Sequence, residues 1–251
     1  MPEPSDVDVQ EHGGVLRIRL DRAGKKNAIT SAMYSALADA LERLGTDSEL
    51  RVGLLEGEGA DFCAGNDLFD FVAPAIGETE APVARFLRNL AVNRKPLVAA
   101  VTGKAVGVGA TMLLHSDLCY VSADAELRFP FVDLGLVPEA GSTMVFPALA
   151  GRRRAAEALL LCRPIDAPSA VSWGIANAVC DDPRAVAAAA AAELAGKPAD
   201  ALASTKALLA GSDTALLNRL AEEGAEFARL LAGPEFAAAL ERFSGRGAAK
   251  G

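Results

Sequence analysis

GKAVGVGATMLLHSDLCYVSADAELRFPFVDLGLVPEAGST, residues 103–143, holds two features around which the chain can be read. The first is a glycine turn, Gly107-Val108-Gly109, between an apolar run at 96–101 and a run of helical character at 110–114. A strand that feeds a helix through such a turn leaves N–H donors unpaired at the helix start. The positive dipole end favours an anion there, and glycine lets a ligand approach the backbone. The second feature is Glu139, a lone carboxylate between Pro138 and Ala140-Gly141 in an otherwise apolar segment. It is either a first-turn acid of a helix that starts near Gly141 or a functional group.

Upstream, runs at 7–11 and 15–20 flank His12-Gly13-Gly14, and Leu16, Ile18 and Leu20 alternate with Val15, Arg17 and Arg19. The spacing predicts a hairpin with one wet face. Residues 21–27 are polar and read as a loop. Thr30 can cap a helix on which Met33, Leu37, Leu41 and Leu44 recur on one face. A short strand at 51–55 leads through glycines to Phe62-Cys63-Ala64-Gly65-Asn66-Asp67-Leu68, where small residues leave the backbone open to a ligand. Residues 73–81 read as a mobile loop and 82–94 as a helix, so strands and helices alternate as in crossovers onto a common sheet.

Downstream, alanine-rich helical runs occupy 152–162, 183–195, 200–210, 213–231 and 234–243. A helical C-terminal region is expected from 198 to 251, behind a core at 1–197. The apolar stripe Leu216, Leu217, Leu220, Phe227, Leu230 and Leu231 exceeds what a thin helical layer buries alone, which points to packing against another subunit.

Composition narrows the function classes. Of 251 residues 51% are hydrophobic and only 5% aromatic, as suits helices packed on a sheet, and the net charge of -8 argues against nucleic acid or an anionic membrane surface as partner. Arg152-Arg153-Arg154 reads as a solvated first helical turn. Cys63, Cys119, Cys162 and Cys180 lack metal or disulfide spacing. Residues 1–9 have no apolar run and no window is long enough for a membrane span, so a cytoplasmic location is expected. Gly107-Val108-Gly109 lacks the spacing of a dinucleotide loop. His115 on an apolar run and His12 in a turn read as structural, and Cys63 as a packed thiol.

In order and spacing, several segments resemble the crotonase, or enoyl-CoA hydratase/isomerase, superfamily: Asp21-Arg22 with Asn27-Ala28-Ile29, then 62–67, 103–109, Ser116-Asp117, Phe129-Pro130, 134–138, 147–151 and 173–176. The resemblance implies an α/β fold, a spiral of ββα units with a C-terminal helical trimerisation region. It also implies an acyl-CoA thioester as substrate, no cofactor besides the coenzyme A the substrate carries, and a homotrimer or homohexamer. By its motifs the oxyanion N–H groups fall on Asn66 and Val108. The substrate is met by Ala64, Gly65, Asp67, Leu68, Gly107, Thr111 and Phe131, Lys25 and Lys26 approach the CoA nucleotide, and Arg246 reaches a neighbour's phosphates. As bare residues these three cations read equally as solvated surface.

Departures from the hydratase pattern matter more than the matches. Hydratases carry two glutamates, at positions that here are Thr111 and Phe131, and neither of these is a base at neutral pH. Glu139 stands where the single-carboxylate Δ3,Δ2-enoyl-CoA isomerases, which residues 134–142 resemble, carry theirs. Three readings follow: such an isomerase; a hydratase or other acyl-CoA lyase that recruits another acid such as Asp70 or Asp133; or a non-catalytic acyl-CoA binder. Asp67 and Asp70 read otherwise as loop and cap residues.

Overall fold

The computed structural model describes residues 6–67 and 81–248, the last six of them by backbone alone. β1 (Val7–His12) and β2 (Val15–Leu20) form the expected hairpin, closed by Gly13 and Gly14 at φ +58° and +79°, values that suit a hairpin turn and favour glycine. Leu16, Ile18 and Leu20 are buried and the alternate residues half-buried, so the predicted wet face is present. β3 (Val52–Gly57) and β4 (Leu97–Val101) are buried at every position. With β6 (Leu118–Val121) and β9 (Ala178–Val179) they complete a six-stranded sheet, order β1-β2-β3-β4-β6-β9, parallel apart from the hairpin.

A parallel sheet buried at its centre needs cover on both faces. α1 (Ser31–Thr46) starts on Thr30, whose hydroxyl accepts from the Met33 N–H at 3.3 Å, and buries Met33, Leu37, Leu41 and Leu44. It shares a core with α2 (Pro82–Val92) and with Leu97, Ala99 and Val101. The alternate residues Val98 and Ala100 meet Ala187 and Ala191 of α7 (Pro183–Ala195), so the alanine run lets that helix lie close on the other face.

A second sheet, β5 (Lys104–Val106), β7 (Glu126–Arg128) and β8 (Ile165–Asp166), corrects one expectation. The strand that feeds Gly107 is β5, not the apolar run at 96–101. β4 ends at Val101, and the chain crosses at Gly103, where a Cβ would lie 2.3 Å from the Ala60 carbonyl oxygen. The helix that follows, α3 (Val108–Thr111), is one α-turn continued as 3-10 helix over Met112–His115. Its macrodipole is correspondingly small.

α4 (Ser142–Ala150), α5 (Arg152–Leu160) and α6 (Ala167–Ser172) lead to β9. Arg152, Arg153 and Arg154 are exposed on the first turn of α5, as expected. The C-terminal helices are α8 (Ala199–Ala210), α9 (Asp213–Leu231) and α10 (Pro234–Ala248). Much of the apolar stripe assigned to a subunit contact is covered within the chain. Phe227 and Leu231 are buried in the main core, Leu230 packs against it, and Leu216 and Leu220 face Gly141. Leu208 and Leu209 of α8 are instead exposed, at 85% and 82%. Among the described residues no helix is long and apolar enough to cross a membrane.

Gly109 is where α3 rests on residues 62–66, and a Cβ there would lie 2.7 Å from both the Cβ and the carbonyl oxygen of Cys63. Gly109→Ala should therefore lower the unfolding free energy by roughly 1–3 kcal/mol, the usual cost of overpacking. Gly24→Ala, with nothing within 4 Å of the added carbon, should be near neutral. Urea unfolding of the two variants checks the contrast.

Candidate active site

Three backbone segments lie side by side at the crossing between the sheets. Asn27, fully buried at φ +55°, ties the first loop down: its side-chain oxygen accepts from the Arg22 N–H, and its amide donates to the carbonyls of Glu58, Asp61 and Phe62. From this anchor Ala64 N–H donates to Lys26 at 2.9 Å, Ile29 N–H to Gly65 at 2.8 Å and Asp67 N–H to Ile29 at 2.9 Å. On the other side Cys63 N–H donates to Lys104 at 2.9 Å and Val106 N–H to Cys63 at 2.8 Å. Residues 62–66 are thus held like a strand between two neighbours, with bridges at Ile29–Asn66 and Cys63–Ala105.

Gly65 (φ +93°) and Gly107 (φ +56°) adopt conformations that disfavour a side chain. A Cβ on Gly65 would lie 2.9 Å from the Val106 carbonyl oxygen, and one on Gly107 3.9 Å from the Gly65 Cα. Asn66 and Val108 each follow one of these adjoining glycines. Neither of their N–H groups donates to a turn, loop or side-chain acceptor among the described residues. Two free donors side by side suit an oxygen that acquires negative charge.

Glu139 does not cap α4, whose start at Gly141 has no side-chain cap. Its carboxylate turns instead to Thr111, whose hydroxyl donates to Oε1 at 2.5 Å; Oε2 is buried without a partner. Burial pushes the Glu139 carboxyl up to about 8, against the opposing Thr111 hydrogen bond and with help from the negative charge of Glu223. The carboxylate rides on a strained turn, since Ala140 and Gly141 both lie in the left-handed region at φ +64° and +67°. His115, read as structural, donates from Nε2 to the Ala140 carbonyl at 2.7 Å, and Ser142 Oγ donates to the Glu139 carbonyl at 2.6 Å.

Other expected residues fall in several places. Thr111, expected at the substrate, is fully buried with its hydroxyl on the carboxylate. Phe131 is buried and Ala64 half-buried. Asp67 pairs with Arg22 at 2.8 Å. Lys25 and Lys26 are exposed, and Lys26 lies 3.4 Å from Asp61. Asp133, an alternative acid, is at the surface with Arg128 at 3.0 Å. Leu68, Asp70 and the side chain of Arg246 lie outside the described residues, as does most of the loop read at 73–81. The Cys63 thiol is raised to about 12 by burial, in keeping with a packed thiol.

Tyr34 reaches the candidate site, where sequence reading did not place it. Its hydroxyl donates to the Asn66 side-chain oxygen at 2.5 Å, and the buried phenol is raised well above its usual value by burial and then by the Glu139 and Cys63 charges. On the apolar face of α1, beside Met33, it looks like an ordinary core residue. Glu223 of α9, buried against the Glu139 turn, was missed too, because an acid in an acidic helical run carries no local signal.

Because the Glu139 carboxyl is raised above its unfolded value, the folded chain binds the more protons between about 4.5 and 8. Its contribution is full below that window and is lost as pH rises through it. Glu139→Gln should thus gain stability over the parent between pH 5 and pH 8, by an amount on the order of a few kcal/mol. Denaturant titrations at both pH values check this; a constant difference would contradict a buried, unpaired carboxylate.

Residues 10–249 match the family model described as enoyl-CoA hydratase/isomerase. The chain is 37% identical over 179 residues to the 1,2-epoxyphenylacetyl-CoA isomerase of Escherichia coli (strain K12), covering 67% of each chain. It is 36% identical over 183 residues to enoyl-CoA delta isomerase 2 of Rattus norvegicus, covering 70% of this chain and 46% of the rat protein, less than half its length. An enoyl-CoA hydratase/isomerase structure from Pseudoalteromonas atlantica T6c superimposes with a TM-score of 0.92 at 36% identity, over 96% of this chain and 98% of that one.

Proposed function

The chain belongs to the enoyl-CoA hydratase/isomerase family, and on that footing we propose that it moves a double bond of 3-enoyl-CoA to 2-enoyl-CoA with Glu139 as the single base. The observation that carries this reading is the buried Glu139 carboxylate, with one oxygen free and Thr111 and Phe131 at the two positions that hydratases fill with acids. The thioester oxygen sits between the N–H groups of Asn66 and Val108. Ionised Glu139 takes the proton at C2, and the C–H electron pair moves into the C1–C2 bond and onto the thioester oxygen. When that enolate collapses, C2 and C3 become doubly bonded, the C3–C4 π electrons pass to C4, and the carboxylic acid returns its proton there. A single pivoting carboxyl closes the cycle with no cofactor and no held water.

Thr111 keeps one carboxylate oxygen in place, and Tyr34 orients Asn66 through its side chain. By the family's motifs Ala64, Gly65, Asp67, Leu68, Gly107 and Phe131 are assigned to the acyl thioester, Lys25 and Lys26 to the CoA phosphates and Arg246 to a neighbour's. The name of the rat relative supports an enoyl-CoA isomerase; that of the Escherichia coli relative makes 1,2-epoxyphenylacetyl-CoA the competing substrate to assay.

Glu139→Gln should retain binding of a saturated acyl-CoA and lose isomerisation by about 10²-fold or more, the usual contribution of a positioned base. Parent kcat/KM should rise with pH toward about 8, as Glu139 ionises. Val108→Ala should stay active and Val108→Pro, which lacks the donor, should not. Assays with 3-enoyl-, 2-enoyl- and 1,2-epoxyphenylacetyl-CoA decide: rapid hydration of 2-enoyl-CoA with 3-enoyl-CoA untouched overturns the reading.

A homotrimer or homohexamer is proposed as well, supported by Leu208 and Leu209 on α8 and by Leu160 and Leu161, 65% and 59% exposed. Sedimentation should give a three- or six-fold mass; a stable monomer at micromolar concentration would contradict it.

A further inference from the structure

Glu223 is a carboxylate of the C-terminal helical region, only 5% exposed, that reaches across to the turn carrying Glu139. Its Oε2 accepts from the Gly141 N–H at 2.6 Å. Its Oε1 accepts from the Thr143 N–H at 2.9 Å and from the Thr143 hydroxyl at 2.6 Å. Arg219, one turn earlier on α9, also donates to the Thr143 hydroxyl at 3.1 Å. These N–H groups belong to the N-cap and the first turn of α4, which needs acceptors and has no side-chain cap of its own. A buried carboxylate from another helix supplies them as charge-assisted hydrogen bonds.

The turn requires such support. Ala140 at φ +64° is a strained conformation for a residue with a side chain, and strain persists only where surrounding contacts over-determine it. His115 holds the Ala140 carbonyl on one side and Glu223 holds the Gly141 N–H on the other. Leu216 and Leu220 of α9 cover the same glycine, a Cβ on which would lie 2.4 Å from Leu216 Cδ1. The base turn is thus clamped by its own chain's C-terminal region.

We propose that Glu223 is a positioning residue, which fixes the Glu139 turn by accepting from Gly141 and Thr143 and thereby makes the C-terminal helical region part of the active site. The proposal rests on Glu139 as the base. Its electrical consequence is a second negative charge close to Glu139. The groups facing Glu139 are Thr111 from α3, Tyr34 from α1 and Glu223 from α9, with Arg219 beside Thr143; of the charges, that of Glu223 raises Glu139.

Glu223→Gln tests it. The amide offers one oxygen where the carboxylate offers two, so Gly141 or Thr143 loses its acceptor, and the charge is gone. At pH 9, where Glu139 is mostly ionised in both proteins, kcat with 3-enoyl-CoA should fall on the order of 10–100-fold while saturated acyl-CoA binding holds within about two-fold. Infrared difference titration of the Glu139 carboxyl, with Glu139→Gln as reference, should show it moved to lower pH in the Glu223→Gln background. That readout needs no turnover, so it separates a failure of this proposal from a failure of the isomerase assignment. Should the variant not fold, hydrogen exchange of the parent decides: the Gly141 and Thr143 amides should be protected like those of β4. Unchanged kcat with an unmoved titration, loss of acyl-CoA binding in step with kcat, or exchange of those amides as fast as at Gly24 would each overturn the proposal.

Discussion

The site depends on two backbones being able to touch. Gly65 and Gly107 meet with no side chain between them, so Asn66 and Val108 follow two backbones in close approach. Any Cβ on Gly65 would press on the Val106 carbonyl, and any on Gly109 would press on Cys63, so distance dictates those two glycines, while the left-handed dihedral angle favours glycine at Gly65 and Gly107. Asn27 makes this approach possible. Buried polar groups must find partners, and its single amide meets four backbone groups of the loops that would otherwise separate.

A second constraint is electrostatic. A carboxylate placed out of water with one oxygen unpaired costs the fold stability as it ionises, and nearby groups decide how much. Thr111 eases that cost on one oxygen, while Glu223 adds to it with its charge even as it holds the turn in place. The same burial that destabilises the ionised form makes the carboxylate a stronger base, so at this residue basicity is gained at the expense of stability. Tyr34 connects the two halves of the candidate site, bonded to Asn66 on one side and within electrostatic reach of Glu139 on the other.

Much of this was legible from residue order. The hairpin, the Thr30 cap, the face of α1 and the start and stop of α7 and α9 follow from local periodicity and capping, which need only neighbours within a few residues. Glycine turns beside small residues marked both open backbone segments, at 62–67 and 107–109, for the same reason. A single acid among Pro, Ala and Gly marked Glu139, and the motifs in order pointed to the family. The strand before Gly107 lies elsewhere than expected because the apolar run at 97–101 carries the stronger strand signal, while Lys104-Ala105-Val106 is too short and too polar to show one, although it pairs in the second sheet.

What tertiary structure alone decided are the contacts between residues far apart in the chain: Thr111 with Glu139 across 28 positions, Tyr34 with Asn66 across 32, and Gly141 with Glu223 across 82. By composition and spacing the sequence determined the hairpin, the longer helices, the open backbone turns and an isolated carboxylate in an apolar segment. Whether that carboxylate is buried, what its oxygens touch and which helix holds its turn depend on how the elements pack, because desolvation and hydrogen bonding are set by neighbours in space and leave no periodic trace along the chain.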